Sequence, residues 1–107
     1  MTTKRVIRRA EARRDVEDTV DCYVMEAGNK IALSFVDEVQ RTYRQIARYP
    51  LSGSTRYAHD LDIPGLRFWP LKRFPFLVFY IETDAHIEVW RVLHAERDIP
   101  AWMYEKR

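Results

Sequence analysis

The spacing of apolar and polar residues predicts a short strand and two helices in the first half of the chain. Residues 4–9, "KRVIRR", are β-branched at their centre and bounded by charge, which is typical of an edge strand. Residues 10–27 have helix-forming composition, and their apolar stripe consists of Val16, Val20, Tyr23, Val24 and Ala27. Gly28 and Asn29 tolerate left-handed backbone, so we expect this helix to end there.

A second helix is predicted from about residue 30 to residue 48. Its buried face would consist of Ala32, Phe35, Val36, Val39, Tyr43 and Ile46. Pro50 lies just beyond the end of this pattern, where a helix-breaking residue is expected. The turn between the two helices is so short that they should form an antiparallel hairpin.

Strand-like patterns occupy most of the second half of the chain. Residues 49–65 are rich in Pro, Gly and Ser, which indicates a loop. Three apolar runs follow at 66–72, 76–82 and 86–93, separated by "KRFP" and "TDA", as in an antiparallel meander. The run "FLVFYI" is apolar at every position, so it should be central and buried on both faces. Pro70 belongs at an edge or a bulge because it cannot donate to a ladder.

The element order is therefore β-α-α-β-β-β, which predicts an α+β fold. In this fold a helical hairpin packs on a small, mainly antiparallel four-stranded sheet. A length of 107 residues suits one domain spanning residues 1–107, since domains typically hold about 100–150 residues. We expect a short polar tail from about residue 98. The hydrophobic fraction of 47% is ample for one packed core.

Composition argues against cofactor, metal and membrane functions. A single cysteine, Cys22, excludes an internal disulfide and a cysteine-based zinc site, and the three histidines lie in different segments. Three glycines provide no phosphate-binding loop. The chain has no signal-like apolar run near its start and nothing near the roughly 18 apolar residues of a membrane span. We therefore expect a cytoplasmic protein with no cofactor, no metal and no membrane contact.

Charge is banded along the chain although the net charge is only +2. Residues 1–14 hold six Lys or Arg against one Glu, whereas residues 15–47 hold seven acids against three bases. A general nucleic-acid binder would be basic throughout, so a partner of mixed charge, such as another protein, fits this distribution at least as well. The basic start is interpreted as a solvated strand edge and helix entrance.

The stretch "WRVLHAERDIP" at residues 90–100 carries most of the candidate chemistry. It contains Arg91, His94, Glu96, Arg97 and Asp98, which would suit an acid–base site, a nucleic-acid contact, a docking surface or a network that anchors the sheet. Neighbouring strands would bring Arg67, Lys72 and Arg73 onto the same surface. Trp102 lies in a tail that cannot form its own core, so it must fold back on the sheet or contact a partner.

In order and composition the chain resembles the ParE branch of the RelE/ParE toxin superfamily. The resemblance rests on "RRAEARRDVEDTVDCYVMEAGNKIALSFVDEV", on Pro50 and Gly53 in a "P-x-x-G" motif, on "LRFWPLKRFPFLVFYIE" and on "VWRVLHAERDIP". It covers nearly the whole chain. It implies the toxin of a type II toxin–antitoxin system, neutralised by a ParD-like antitoxin in a heteromeric complex.

The resemblance leaves two target classes, because ParE-type members inhibit DNA gyrase and RelE-type members cleave messenger RNA on the ribosome. Aligned without gaps, the cationic positions of RelE-type members fall on Phe68, Pro70, Leu77 and Ala95. Cleavage needs cations to stabilise its charged transition state, so their absence predicts a protein that is not an enzyme and has no catalytic residues. A slip of one residue would bring back Arg67 or Arg73. His94 alone is interpreted as a hydrogen-bonding strand terminator.

The leading interpretation is a toxin that inhibits DNA gyrase by docking and makes no direct nucleic-acid contact alone. The candidate target-binding residues, expected to be exposed, are Arg67, Lys72, Arg73, Arg91, His94, Arg97, Asp98, Trp102 and Tyr104. The candidate antitoxin-binding residues are Val16, Val20, Tyr23, Phe68, Trp69 and Trp90. The alternatives are a ribosome-dependent endoribonuclease of RelE type and a non-toxic binding partner of the antitoxin.

Overall fold

The computed structural model describes residues 3–103. In chain order its elements are strand β1 (Arg5–Arg8), helices α1 (Ala10–Ala27) and α2 (Asn29–Arg48), a 3₁₀ turn (Pro50–Ser52), helix α3 (Arg56–Asp60), strands β2 (Leu66–Pro70), β3 (Phe76–Glu82) and β4 (His86–His94), and helix α4 (Ile99–Met103). The predicted α+β fold is confirmed.

The four strands form one sheet in the order β1-β4-β3-β2. Strands β2, β3 and β4 are an antiparallel meander, and β1 pairs with β4 in parallel. As predicted, β3 is central, and Val78, Phe79 and Tyr80 are completely buried. Because side chains alternate along a strand, these three residues supply both faces of the sheet.

Helices α1 and α2 pack on one face of the sheet, called here the helical face. Gly28 separates them with a φ of 94°, a left-handed conformation that favours glycine, and its N–H donates to the Tyr23 carbonyl. The predicted inner face of α2 is confirmed as buried or half-buried. In α1 the prediction fails for Val24 and Ala27, which are exposed. Ala12, one turn before Val16 on the same stripe, lies in the core at 0% exposure, so the buried part of the stripe begins earlier in the helix than predicted.

The opposite face of the sheet, called here the second face, has its own apolar cluster. Leu61, Leu66, Phe79 and Leu93 form its buried centre, with Ile99 and Met103 from α4. Two predictions are corrected by this cluster: residues 49–65 are not only loop, and the tail from residue 98 is not simply polar. The short helices α3 and α4 form because their apolar side chains cover this face.

No helix within residues 3–103 is both long enough and apolar enough to span a membrane.

Glu38 of α2 anchors the turn between β2 and β3. Its carboxylate accepts hydrogen bonds from Nε and Nη2 of Arg41 at 2.8 and 2.7 Å and from the backbone N–H of Lys72 at 2.6 Å. The hydrogen bonds from Arg41, followed by the one from the Lys72 backbone, lower the pKa of Glu38 although its burial opposes this shift. The charged form of Glu38 therefore stabilises the fold.

We expect Glu38→Gln to lower the free energy of unfolding at neutral pH by about 1–2 kcal/mol, because an amide cannot accept all three bonds. The folded pKa lies below the unfolded value of 4.5, so this stabilisation is complete above that value. It is lost as the pH falls through the folded pKa. Urea denaturation should therefore show the two proteins converging in acid.

The exposed Glu96 provides a matched control, and Glu96→Gln should change stability by less than about 0.5 kcal/mol at any pH. A difference between wild type and Glu38→Gln that stays constant from about pH 7 to pH 3 would contradict the linkage.

Candidate functional site

Asp15 of α1 provides a hydrogen-bond acceptor for β4 beyond the point where β1 ends. The last rung between β1 and β4 is the bond from the Arg9 N–H to the Val89 carbonyl. Beyond it, the Asp15 carboxylate accepts the Val92 N–H at 3.0 Å and both Nε and Nη2 of Arg91 at 2.8 Å. Arg91 is only 3% exposed, so the expectation that it lies on the surface is wrong. Its charge is compensated internally by a bidentate partner.

The remaining polar residues of 90–100 mostly hold α4 against the sheet. Nη1 of Arg91 donates to the Trp102 carbonyl at 2.6 Å, and Asp98 Oδ1 accepts the Ala101 N–H at 3.3 Å at the start of α4. The guanidinium of Arg97 lies 4.1 Å from the centre of the Trp102 ring. Of the alternatives for Trp102, folding back on the sheet is the one observed.

His94 ends β4 and is half-buried. Its ring packs against Phe76 with centroids 5.1 Å apart, and its Nδ1 accepts the Glu96 N–H at 3.1 Å. The next residue, Ala95, donates its N–H to the Pro75 carbonyl, which joins the end of β4 to the turn between β2 and β3.

Exposed cations gather at this end of the sheet. Lys72 and Arg73 lie on the turn, and Arg97 lies just after β4. Together with His94 they form what is called here the turn-end patch. The patch thus contains four of the nine predicted target-binding residues, whereas Arg91 is buried and Tyr104 lies outside the described residues.

Arg67 has a different role from the turn-end patch. Its Nη1 donates to the carbonyls of Leu51 and Gly53 at 3.0 and 2.9 Å. The Tyr80 hydroxyl donates to the Pro50 carbonyl at 2.8 Å. Arg67 and Tyr80 thus fix the "P-x-x-G" loop, which explains a motif that the sequence showed without a reason.

The candidate antitoxin-binding residues do not form one surface. Val16, Val20, Tyr23 and Trp69 are partly buried against the core of the helical face. Phe68 and Trp90 pack on the second face. Phe68 and Trp69 are consecutive in β2, so strand alternation necessarily separates them.

Trp90 is half-buried and follows Val89 in β4, at the point where the pairing with β1 ends. The guanidinium of Arg9 lies 3.8 Å from the centre of its ring, and its Nε1 donates to Glu88 Oε1 at 2.8 Å. Glu88 also pairs with Arg9 at 3.1 Å. The three side chains form a closed stack, so Arg9 is not a free cation.

The residues of this chain that align with the RelE-type cations can also be located in the structure. Phe68 and Leu77 pack on the second face, and Pro70 pairs with Leu77 across the sheet. Arg67 is turned to the opposite side by its bonds to the loop, so a one-residue slip does not bring its charge to this face. Within the described residues, no group of three or more His, Cys, Asp or Glu side chains is arranged to hold a metal ion.

Sequence reasoning missed the structural roles of Asp15, Glu38 and Tyr80. Asp15 directly precedes Val16, a residue of the apolar stripe. An acidic residue beside an inward-facing position was the signal in the sequence that its side chain could have a buried partner. Glu38 follows the same rule beside Val39. A charge next to a buried stripe is worth testing for a buried partner.

The comparisons with known proteins agree with this fold. A chain described as "Chromosomal ParDE TA system from P. aeruginosa" superimposes with a TM-score of 0.74 and 22% sequence identity, covering 88% of this chain and 98% of that chain. The fold is thus that of a chain from a toxin–antitoxin system. No curated protein sequence matched.

The model of the family described as "ParE toxin of type II toxin-antitoxin system, parDE" matches residues 6–99. The chain therefore belongs to the ParE toxin family, and the resemblance seen in its sequence is confirmed.

Proposed function

We propose that this ParE-family toxin inhibits DNA gyrase by docking, without catalysis, and that a ParD-type antitoxin neutralises it in a heteromeric complex. Membership of the family supports the antitoxin and the target. The observation that carries the non-enzymatic mechanism is the apolar second face. Phe68 and Leu77 occupy positions where RNA cleavage would need cations, and Arg67 is committed to the loop on the other side.

The turn-end patch is the proposed gyrase contact. Two of its exposed cations, Lys72 and Arg73, lie on the turn that Glu38 anchors through the Lys72 backbone, and the third, Arg97, lies just after β4. A rigid cationic surface suits an acidic surface of a protein target, because charges at the rim of an interface set the association rate. Arg91 supports this patch indirectly by holding α4.

A supercoiling assay with purified gyrase, run beside a translation assay that scores mRNA cleavage, tests the proposal. We expect inhibited supercoiling and intact mRNA. Cleaved mRNA would instead establish the RelE-type activity, and His94→Ala would then be expected to abolish it. If neither effect occurs, the chain is a non-toxic partner of its antitoxin and the proposal is wrong.

The patch itself is tested by Arg73→Glu, which leaves Lys72 and its backbone bond to Glu38 in place. We expect about a tenfold rise in the concentration needed to inhibit supercoiling, since a like charge then faces the target. The control is Lys30→Glu, an exposed lysine at the start of α2, which should leave inhibition within about twofold. Equal effects of the two variants would exclude the patch as the contact.

A further inference from the structure

Strand β1 presents an open backbone edge. In a parallel ladder alternate residues bond to the neighbouring strand, and the bond from the Arg9 N–H to the Val89 carbonyl fixes which ones do so here. The N–H and C=O groups of Val6 and Arg8 therefore point away from β4. Within residues 3–103 no other strand pairs with this edge.

The opposite edge of the sheet is closed. On β2 the Leu66 N–H donates to the Ile63 carbonyl, and Phe68 exchanges two hydrogen bonds of 2.9 Å with Ser54. Pro70 has no N–H to offer. Exposed edges invite pairing with another chain, and proteins usually block them. On β2 each outward-facing residue is either hydrogen-bonded or lacks an N–H, whereas within residues 3–103 no strand pairs with the outward-facing residues of β1. The edge of β1 is therefore available to a partner.

A cavity lies at each end of β1. At the Arg8 end, a cavity of about 160 Å³ has an apolar floor that includes Val16 and Val39 and is rimmed by Arg8 and Arg13. At the Lys4 end, a cavity of about 310 Å³ is lined by residues that include Tyr49 and Leu51. Leu51 is 70% exposed and Ile7 on β1 is 39% exposed. The edge and its two cavities are called here the β1 cleft.

The β1 cleft favours a negatively charged occupant at its Arg8 end. Neither Arg8 nor Arg13 forms an ion pair within residues 3–103, although Glu17 also lines this cavity. Tyr43 lines the same cavity, and its buried hydroxyl has no hydrogen-bond partner among the described residues. Burial raises the pKa of Tyr43 to about 12, so the hydroxyl stays a neutral donor. At the other end, Lys4 is neutralised by Glu82 at 3.0 Å.

We propose that the β1 cleft binds an extended acidic segment of a partner polypeptide, which pairs with the N–H and C=O groups of Val6 and Arg8. A carboxylate of this segment lies at the Arg8 end, beside Arg13 and Tyr43. The outward N–H donors and C=O acceptors of β1 alternate along a strand that rises about 3.3 Å per residue. This pattern matches the backbone of an extended peptide and not a chain of phosphates. A second copy of this chain is disfavoured because its own β1 would bring Arg5 and Arg8 against the same cations.

This inference rests on the proposed function in one respect, namely that the antitoxin is the partner supplying the segment. The binding test does not need the antitoxin. Its probe is an acetylated and amidated synthetic heptapeptide of alternating Glu and Val, and its control peptide has Lys in place of Glu. Binding is followed by amide chemical shifts and hydrogen exchange of the full-length protein.

We expect the Glu/Val peptide to shift the Val6 and Arg8 amides and slow their exchange, while the Phe68 amide is unchanged. Affinity should fall by about tenfold between about 0.05 and 0.5 M salt, because screening weakens the contact with Arg8 and Arg13. Equal binding of the Lys/Val peptide, shifts confined to other strands, or no binding would each overturn the proposal.

Two pairs of variants separate backbone pairing from charge. Arg13→Glu should weaken binding by about tenfold, and Arg14→Glu, an exposed neighbour that does not line the cavity, by less than about twofold. Arg8→Pro removes only an outward N–H and keeps the ladder to β4, so it should bind more weakly than Arg8→Ala. If Arg8→Pro and Arg8→Ala bind equally, no strand is added at β1.

The same variants distinguish failure of this inference from failure of the proposed function. If Arg13→Glu binds the peptide as well as wild type does while the wild-type toxin inhibits gyrase, only the β1 cleft is wrong. If the peptide binds as expected and the antitoxin still captures Arg13→Glu and Arg8→Pro fully, the cleft binds acidic strands but the antitoxin lies elsewhere. That result would overturn the assignment of the partner.

Discussion

Replacing Asp15 by Ala is expected to lower the free energy of unfolding by about 3–5 kcal/mol, the largest effect of any substitution discussed for this protein. The change leaves the guanidinium of Arg91 buried without its bidentate partner and the Val92 N–H without an acceptor. Domains of this size have only about 5–15 kcal/mol of stability in total. Thermal and urea unfolding of the purified protein measure the loss.

The control for this experiment is Asp21→Ala, which removes an exposed carboxylate from the same helix and should cost less than about 0.5 kcal/mol. The double variant Asp15→Ala/Arg91→Ala should be more stable than the sum of the two single losses predicts, because it leaves no uncompensated charge. Additive losses would show that the pair is not coupled, contrary to the geometry.

The same pair connects stability to the proposed gyrase contact. Arg91 holds the Trp102 carbonyl, so losing Asp15 should loosen α4 and the segment before it. Trypsin cleavage after the exposed Arg97 should then be faster in Asp15→Ala than in Asp21→Ala under conditions where both proteins are folded. Unchanged cleavage would mean that the apolar contacts of Ile99 and Met103 are sufficient to hold α4.

Replacing Gly53 by Ala is expected to cost about 2–3 kcal/mol, although its backbone conformation is one that any residue adopts. The reason is space: an added Cβ would overlap the Tyr80 hydroxyl and lie 2.9 Å from its Cζ. Tyr80 is completely buried and fixed by its bond to the Pro50 carbonyl, so the ring cannot move aside.

Tyr80→Phe provides the decisive comparison for Gly53. Alone it should cost about 1 kcal/mol, because the Pro50 carbonyl loses its donor. In the Gly53→Ala background it should be neutral or stabilising, because removing the hydroxyl removes the main overlap. Ser52→Ala, in the same loop but exposed, is the control. A Gly53→Ala protein that is as stable as wild type would refute the steric explanation of the "P-x-x-G" motif.

The sequence predicted the strands and long helices because each has enough residues to show its period. Helix α2 presents its buried face over 20 residues, and β3 is apolar throughout. Helices α3 and α4 have five residues each, too few for a period to be read. They exist because Tyr57, Ile99 and Met103 cover the second face, which is a tertiary cause.

The candidate site was less predictable than the fold, because charge in a sequence does not reveal burial. Arg91 and Arg97 are equivalent in a list of charges, yet one is buried against Asp15 and the other is exposed beside Trp102. The partner of Arg91 lies 76 residues away, on a helix that reaches it only where β1 stops. Nothing local to residues 90–100 indicates that partner.

By itself, the sequence determined the family and the order of the strands and the two long helices, because these depend on residue identity and local periodicity. Only the tertiary structure decided which charges compensate one another, that α3 and α4 cover the second face, and that β1 runs parallel to β4 with an open edge. Those features depend on which distant segments of the chain contact one another, and strand pairing and helix packing determine these contacts.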